Sequence, residues 1–284
     1  MVDKPAGWTS HQVVGRLRRV LGTRKVGHAG TLDPMATGVL LVGINRATRL
    51  LGHLMLTRKS YAATIRLGES TVTDDADGDL VFSLSAGHLS DQTIRDTAAT
   101  FVGEIDQVPS AVSAVKINGV RAYAKVRAGE DVELPARRVT VSRYDLLELR
   151  RVEQPGRVAV DVEVEVDCSS GTYIRALARD LGSTLGVGGH LTRLRRTRVG
   201  PFGLDQAEPV DATTEQVRVI DIADVARALF PGLHLDPATA VRARRGQTLD
   251  PGPTATGLTA VFDGADFVGL YRPDGRPEAI FVGS

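Results

Sequence analysis

The sequence predicts an α+β protein in which a mostly antiparallel mixed sheet is flanked by helices. Strand and helix patterns are interleaved up to about residue 200, without the regular alternation that a parallel sheet requires. After Phe202 the chain changes, with frequent glycine and proline between short apolar strands. This change predicts a smaller second domain, and we place the boundary near residue 230.

The first helix is predicted from Ser10, which precedes apolar residues at helical spacing and would cap it, to Gly22, which would end it. Strand 59–67 is predicted from alternating apolar residues, with Tyr61 on the apolar face. Further elements are expected at 38–44 (buried strand), 46–56 (helix), 90–102 (helix capped by Ser90), 111–117 and 138–149 (strands), 121–128 (helix) and 222–230 (helix).

The clearest strand covers residues 158–166, where valines on one face alternate with Asp161, Glu163 and Glu165 on the other. A helix at 173–185 follows, with apolar residues at helical spacing toward the core. Residues 188–200 are expected to form loop and strand, and 259–262 and 267–271 to form short strands.

Composition excludes several classes of protein. No apolar run approaches the roughly 20 residues that span a bilayer, and a lone Cys168 leaves no internal disulfide. We therefore expect a cytoplasmic protein. The net charge is +1, but residues 1–30 carry +5 and residues 189–200 carry +4. If the fold joins these two blocks, they form a basic face suited to a phosphate backbone; otherwise they are two separate solvated faces.

The common signatures of nucleotide, serine-hydrolase and zinc-protease sites are absent. The acidic run at 74–79 does not fit a calcium loop, because Thr73 and Leu84 fall at ligand positions, and a solvated turn is expected instead. No histidine has a second histidine or a cysteine at metal-binding spacing. We therefore expect neither a metal nor a cofactor.

Asp33 is the one carboxylate in a loop bounded by glycines, residues 27–38. With Pro34 it could instead start a helix, although barely one turn would fit before Gly38. Arg175 lies in the first turn of a helix that Ser169, Ser170 or Thr172 would cap. A cation there opposes the helix dipole by about 0.3–1 kcal/mol, which indicates a nearby anion, either a buried carboxylate or an RNA phosphate. An ordinary surface arginine is the alternative.

Three other side chains have two interpretations each. Tyr61 and Tyr173 could be core tyrosines or could stack on an extruded base. His28 could be a loop histidine with a backbone partner or a group that contacts RNA.

Six sequence motifs occur along the chain: DKPAG at 3–7 with Thr9 and Ser10, GHAGTLDP at 27–34 with ATG at 36–38, Tyr61, QVP at 107–109 with Ser113, Ala114, Lys116, Gly119 and Tyr123, SGTYIR at 170–175, and His190 and Leu191 with LRRT at 194–197. These motifs resemble those of a known family, the TruB-type tRNA pseudouridine-55 synthases. They run in order to about residue 200. Ser110 and Val126 depart from the family pattern, but both positions flank the residues that are expected to carry the chemistry. Because the chain begins almost on the first motif, we expect a clipped leading strand with a poorly ordered edge.

The resemblance implies a catalytic pseudouridine synthase domain at 1–229 and a PUA-like RNA-binding domain at 230–284. It implies that uridine 55 in the T-loop of tRNA flips out and is isomerised, with Asp33 as nucleophile and Arg175 keeping it ionised. Tyr61 would pack on the uracil and remove the C5 proton. Tyr173 and Leu194 would line the base pocket. His28 would hold the flipped nucleotide or fill its place. The residues that would contact phosphates are Lys4, Arg16, Arg19, Arg195, Arg196 and Arg198.

The expected partner is the T-arm stem-loop of tRNA, with no membrane and no obligate protein partner. Two other functions stay open at this stage. One is a non-catalytic tRNA-binding or tRNA-folding protein on the same scaffold. The other is a glycosidase-like hydrolase, which needs a second carboxylate that Asp75 or Asp77 could supply.

Overall fold

Helices flank one large mixed sheet in the computed structural model of the chain, which confirms the α+β prediction. The structure describes residues 1–110, 116–117, 120–121, 134–250, 252, 254 and 256–281. Its strands are β1 (Val2–Lys4), β2 (Val26–Ala29), β3 (Thr37–Ile44), β4 (Lys59–Leu67), β5 (Glu69–Thr71), β6 (Leu80–Ser83), β7 (Gly103–Gln107), β8 (Lys116–Ile117), β9 (Val120–Arg121), β10 (Arg137–Gln154), β11 (Arg157–Cys168), β12 (Gly189–Val199), β13 (Phe202–Gly203), β14 (Glu208–Pro209), β15 (Gly232–His234), β16 (Thr259–Asp263), β17 (Asp266–Tyr271) and β18 (Pro277–Ile280). Its helices are α1 (Ser10–Val20), α2 (Leu51–Met55), α3 (Asp91–Ala99), α4 (Ile174–Thr184), α5 (Ile222–Leu229) and α6 (Pro237–Arg244), with 3-10 turns at Asn45–Leu50 and Leu204–Gln206.

Among the described residues, the large sheet has ten strands and runs in the order β14, β1, β3, β12, β4, β11, β10, β7, with β2 paired to β3 and β13 to β12. Its pairings are antiparallel except for β1 with β14 and β3 with β12, so the mostly antiparallel prediction is confirmed. Residues 188–200, expected to be part loop, are almost entirely β12, which joins the two halves of the sheet. β1 pairs on both sides and is not the loose edge that we expected.

The alternation of valines and acidic residues along β11 explains its central position in the sheet. Its valines from Val160 to Val166 are at most 1% exposed and face the main core. On the other face, Asp161 pairs with Arg66 at 2.8 Å and Glu163 pairs with Arg193 at 2.7 Å. The pattern predicted from the sequence is confirmed, and ion pairs across strands cover its polar face.

Capping at the N-terminus of α1 differs from the prediction by one residue. Thr9 is the cap and forms a capping box with Gln12. Ser10 lies inside the helix and is buried; its hydroxyl accepts from the backbone N–H of Leu32 at 2.9 Å. Ser10 therefore fastens α1 to the loop that carries Asp33.

The C-terminal β domain is a four-stranded sheet in the order β15, β16, β17, β18. Both strands expected at 259–262 and 267–271 are present as β16 and β17. Phe262 and Phe267 share one apolar cluster with Val39 and Leu41 of β3 and with Ile222 of α5, so a continuous apolar core joins this sheet to the large one. The boundary at residue 230 stays a prediction.

Two expected elements cannot be compared with the structure in full. The strand at 111–117 and the helix at 121–128 lie outside the described residues except for the short β8–β9 pair. Within the part of the chain that is described, no helix is both long and apolar enough to cross a membrane.

Gly38 permits the close contact between β3 and β12. Its φ is +102°, and a Cβ atom there would lie 2.1 Å from the carbonyl oxygen of Arg196. We expect Gly38→Ala to lower the free energy of unfolding by about 3 kcal/mol or more, because backbone strain adds to a backbone clash. Gly7→Ala is the control, since Gly7 also has a positive φ, +77°, but nothing lies within 4 Å. Urea unfolding would measure both, and equal losses would contradict the role of the close contact.

Candidate active site

A cavity of about 290 Å³ lies beside β4, β12 and the start of α4. Six of the candidate site residues line it, which are Asp33, Tyr61, Tyr173, Arg175, Leu194 and Arg196. The other residues that line it are Gly30, Thr31, Leu32, Met55, Lys59, Gly171, Thr172 and Ile174. Four distant parts of the chain therefore meet at one concave site.

The Asp33 loop is held by its neighbours and does not start a helix. The Pro34 carbonyl oxygen accepts from the Gly7 backbone N–H at 2.8 Å and from Lys4 Nζ at 3.2 Å. Lys4 is fully buried and also donates to the carbonyl oxygens of Pro5 and Trp8. Burial lowers the pKa of Lys4 to about 8, although Asp33 opposes the shift. Lys4 therefore supports the loop and is not the phosphate contact that we expected.

Arg175 binds Asp33 directly. Its Nε lies 3.0 Å from Asp33 Oδ2, and the Arg175 side chain is 6% exposed. Arg175 Nη1 also donates to the Thr73 carbonyl oxygen at 2.8 Å. The anion beside Arg175 is thus a carboxylate, one of the two anions predicted from the helix position. The expected helix cap is wrong, however: α4 is capped by Tyr173, which makes no side-chain capping hydrogen bond.

Asp75, which the sequence offered only as a possible second carboxylate alongside Asp77, lies behind the cavity against Arg175. Its Oδ2 lies 3.5 Å from Arg175 Nη1, and its side chain is 5% exposed. Asp74 beside it is also buried and pairs with Arg179 at 3.3 Å. The solvated turn expected at 74–79 is therefore wrong for these two residues. The sequence signal for these buried carboxylates was the acidic run at 74–79, which has more carboxylates than a turn needs. Only tertiary packing shows which of them turn inward.

Asp33 is held between opposing electrostatic influences. Burial raises the pKa of the Asp33 carboxyl above its ordinary value, Arg175 opposes that rise, and Asp75 adds to it. The side chain of Asp33 remains 36% exposed, in contrast to the buried Arg175 and Asp75. Asp33 is therefore the carboxylate of this group that an incoming ligand can reach.

Tyr61 and Arg196 form the inner wall of the cavity. Burial raises the pKa of the Tyr61 phenol, with Arg196 opposing the shift, so the neutral phenol is favoured. Arg196 is 1% exposed, and it donates to the carbonyl oxygens of Val39 at 2.8 Å and Gly30 at 3.0 Å. Arg196 was expected to contact phosphate. It is buried instead, and its hydrogen bonds join β12 to β3 and to the Asp33 loop.

His28 does not line the cavity. Its ring meets that of His11 edge to face, with ring centres 5.4 Å apart. His28 Nδ1 is buried, and no hydrogen-bond partner for it is found among the described residues. Burial lowers the pKa of His28, which favours the neutral ring. A role in holding the flipped nucleotide stays a prediction.

The two basic blocks do meet, because β1, β3 and β12 are neighbours. Much of their charge is nevertheless neutralised or buried. Arg195 pairs with Asp3 at 2.6 Å, and Arg16 donates to the Thr214 carbonyl oxygen. Arg19 and Arg198 are exposed. The basic face is therefore weaker than the count of charges suggested, and Arg19 and Arg198 are the exposed ones among the six cations that were expected to contact phosphates.

Family models match most of the chain. The model of the TruB family pseudouridylate synthase N-terminal domain matches residues 18–174. The chain belongs to the TruB family. The model of the tRNA pseudouridylate synthase B C-terminal domain matches residues 175–226. This TruB protein is therefore an isomerase of the tRNA pseudouridine synthase type, as the motifs implied.

Individual relatives agree with this assignment. The TruB protein is 58% identical over 281 residues to the tRNA pseudouridine synthase B of Mycobacterium sp. (strain KMS), covering 99% of this chain and 90% of that one. It is 56% identical over 282 residues to the corresponding protein of Arthrobacter sp. (strain FB24), covering 99% and 91%. This chain is therefore identical to each of these two relatives at more than half of the aligned positions, across most of their length.

Solved structures support the fold. A crystal structure of a Cbf5-Nop10-Gar1 complex contains a chain that is 26% identical and superposes with a TM-score of 0.72, over 99% of this chain and 84% of that one. An H/ACA RNP bound to a substrate RNA containing 2′-deoxyuridine gives a TM-score of 0.71 at 24% identity. The predicted pseudouridine synthase fold is confirmed.

Proposed function

We propose that this TruB protein converts uridine 55 in the T-loop of tRNA to pseudouridine, with Asp33 as the nucleophile. The observation that carries the proposal is the Asp33–Arg175 pair, 3.0 Å between Nε and Oδ2, in a cavity with two tyrosines. A partly exposed carboxylate held by a buried arginine is an aimed and reachable nucleophile. Such a substrate would place the enzyme in the cytoplasm.

The reaction exchanges one bond for another without loss of atoms. The N1–C1′ bond breaks, the uracil turns, and a C5–C1′ bond forms while the proton on C5 is lost and N1 gains one. Asp33 would hold either the sugar or the base covalently between these steps, through C1′ or C6. Its lone pair supplies the new bond, and the same bond breaks when pseudouridine forms.

The cavity walls supply the remaining roles in this proposal. Tyr61 would pack against the uracil ring, with Leu194 and Tyr173 on the other sides. The resemblance also implies that Tyr61 removes the C5 proton. Its raised pKa favours the phenol over the phenolate, so packing on the base is the role that its surroundings support.

A glycosidase-like hydrolase is the rival that the structure makes worth testing, because Asp75 lies near Asp33 across Arg175. Asp75 is 5% exposed, and it is not among the residues that line the cavity in the described part of the chain. A second carboxylate of a glycosidase must reach the leaving group or a water. The position of Asp75 suits orientation of Arg175 instead.

The proposed function is tested by tritium release from C5-labelled uridine in an unmodified T-arm stem-loop. Release with no free uracil, and with product of unchanged mass, is expected. A stem-loop with cytidine at the target position should release nothing from its remaining uridines. Free uracil would indicate the hydrolase, and binding without release would indicate a non-catalytic tRNA-binding or tRNA-folding protein.

Binding to tRNA should depend on salt through the exposed cations. We expect Arg19→Ala and Arg198→Ala each to lower the slope of log affinity against log salt by about 1, because each phosphate contact releases a counterion. Arg143→Ala is the control, since three carboxylates surround Arg143 on the polar face of the sheet. Filter binding between low and moderate salt would measure the slopes, and a reduced slope only in the control would refute the proposed contacts.

The segment at 230–284 is proposed to be the PUA-like RNA-binding domain that the resemblance implied. Its support is the separate four-stranded sheet and the helix α6, which carries Arg242 and Arg244 in its last turn. Because one apolar core joins this sheet to β3, the two RNA-binding parts would act as one surface.

A further inference from the structure

The segment at residues 55–58, which we call the rim, lies beside the active-site cavity and exposes apolar side chains to solvent. Met55 lines the active-site cavity and is 50% exposed. Leu56, the next residue, is 76% exposed, more than any other large hydrophobic side chain in the described ranges. Arg58, which follows, is also exposed. Adjacent apolar side chains open to solvent at the mouth of a site indicate a binding surface.

The backbone of the rim is fixed from beneath. Lys59 is buried, and its Nζ donates to the carbonyl oxygens of Met55 at 2.8 Å and Thr57 at 2.7 Å. The Gly200 backbone N–H donates to the Arg58 carbonyl oxygen at 2.8 Å. The end of α2 is thus tied to β4 and to the end of β12. Because the backbone is held, Met55 and Leu56 are presented outward on a rigid support.

We propose that the rim packs against the nucleobases that flank the target uridine in the RNA, with Leu56 as the principal contact. This inference rests on the proposed function. When a base leaves its stack, its neighbours expose flat apolar faces, and apolar side chains commonly occupy such gaps in nucleic-acid complexes. The rim is continuous with the cavity that takes the base, and Arg58 places a cation where the backbone phosphates pass.

The position of the rim beside the cavity also favours RNA over a protein as the ligand. Met55 of the rim, the Asp33 loop and Tyr173 all line the same cavity, so a ligand that fills the cavity lies against Met55. A nucleotide entering there brings its two neighbours to the edge of the opening. Leu56 does not line the cavity itself, so its contact is with those neighbours and not with the reacting base.

The test compares Leu56→Ser with Leu147→Ser, a control at a site 59% exposed on β10. Both substitutions remove an exposed leucine, so neither should disturb the core. KM and kcat are measured by tritium release on a T-arm stem-loop and on the same stem-loop with abasic sites on both sides of the target uridine. For the intact stem-loop we expect Leu56→Ser to raise KM about tenfold with little change in kcat, the scale of one lost apolar contact.

The abasic substrate gives the decisive comparison. With the flanking bases absent, wild type and Leu56→Ser should have the same KM, while Leu147→Ser should match wild type on both substrates. An unchanged KM for Leu56→Ser on the intact stem-loop, or an equal rise on both substrates, overturns the inference. If wild type releases no tritium at all, the proposed function and this inference fail together; if wild type is active, only the rim is in question.

Discussion

Asp33→Asn is expected to lower the rate of pseudouridine formation by at least about 10⁴-fold, because removal of a covalent nucleophile leaves only binding and orientation. The amide keeps the shape of the carboxylate but cannot form the covalent bond. Arg175 keeps Asp75 as a partner at 3.5 Å, so the site should remain folded and tRNA affinity should stay near that of wild type. Single-turnover tritium release and filter binding would measure the two effects separately.

The matched control is Asp77→Asn. Asp77 belongs to the same acidic run as Asp75, but its side chain is exposed and does not line the cavity in the described residues. Near-normal activity is expected there. Comparable losses in the two variants would show that overall charge, and not the nucleophile, governs the rate, and a fully active Asp33→Asn protein would falsify the catalytic assignment.

Arg175→Met is expected to reduce the rate near neutral pH by about 10²–10³-fold, the scale seen when a charge-stabilising group is lost from a site. It leaves Asp33 and Asp75 facing each other without the guanidinium between them. Because Arg175 opposes the rise in the pKa of Asp33 while Asp75 adds to it, that pKa should rise further in the variant. The loss of a partner for buried Asp75 should also lower stability by about 3 kcal/mol or more.

The pH dependence distinguishes this explanation from simple damage to the fold. The reactive form of Asp33 is the carboxylate, so the rate falls as pH drops through its pKa. In wild type this fall should begin above the pH range of an ordinary aspartate, and in Arg175→Met it should move higher still, with partial recovery of rate in alkaline buffer. Arg179→Met, one turn further along α4 and paired with Asp74, is the control whose acid limb should stay in place.

Local patterns were enough to predict many elements. Strand β11 carries its own signal, because alternating valines and acids leave one face apolar and one polar. Asp33 and Arg175 were found in the same way, one as an isolated carboxylate between glycines and the other as a cation in the first turn of a helix. Each of these features depends only on residues close in sequence.

The features that were missed depend on residues far apart. Lys4 and Arg196 look like surface cations in the sequence, yet their donors are taken by carbonyl oxygens of other segments. Asp75 could not be separated from Asp77 by composition, because only the fold of the β5–β6 hairpin turns one inward and leaves the other exposed. The sequence reports the charge of a side chain, but tertiary contacts decide whether that charge meets solvent.

The placement of β12 has a consequence for biosynthesis. β3 and β4 are close in sequence, but β12 lies between them in the sheet. As the chain leaves the ribosome, the facing edges of β3 and β4 therefore stay unpaired until about 120 further residues have followed β4. Insertion of one late strand between two early ones is a long-range step, which makes folding slow and exposes the nascent protein to aggregation. An enzyme built this way gains its active site in a single late event, when β12 brings Leu194 and Arg196 to a loop translated long before.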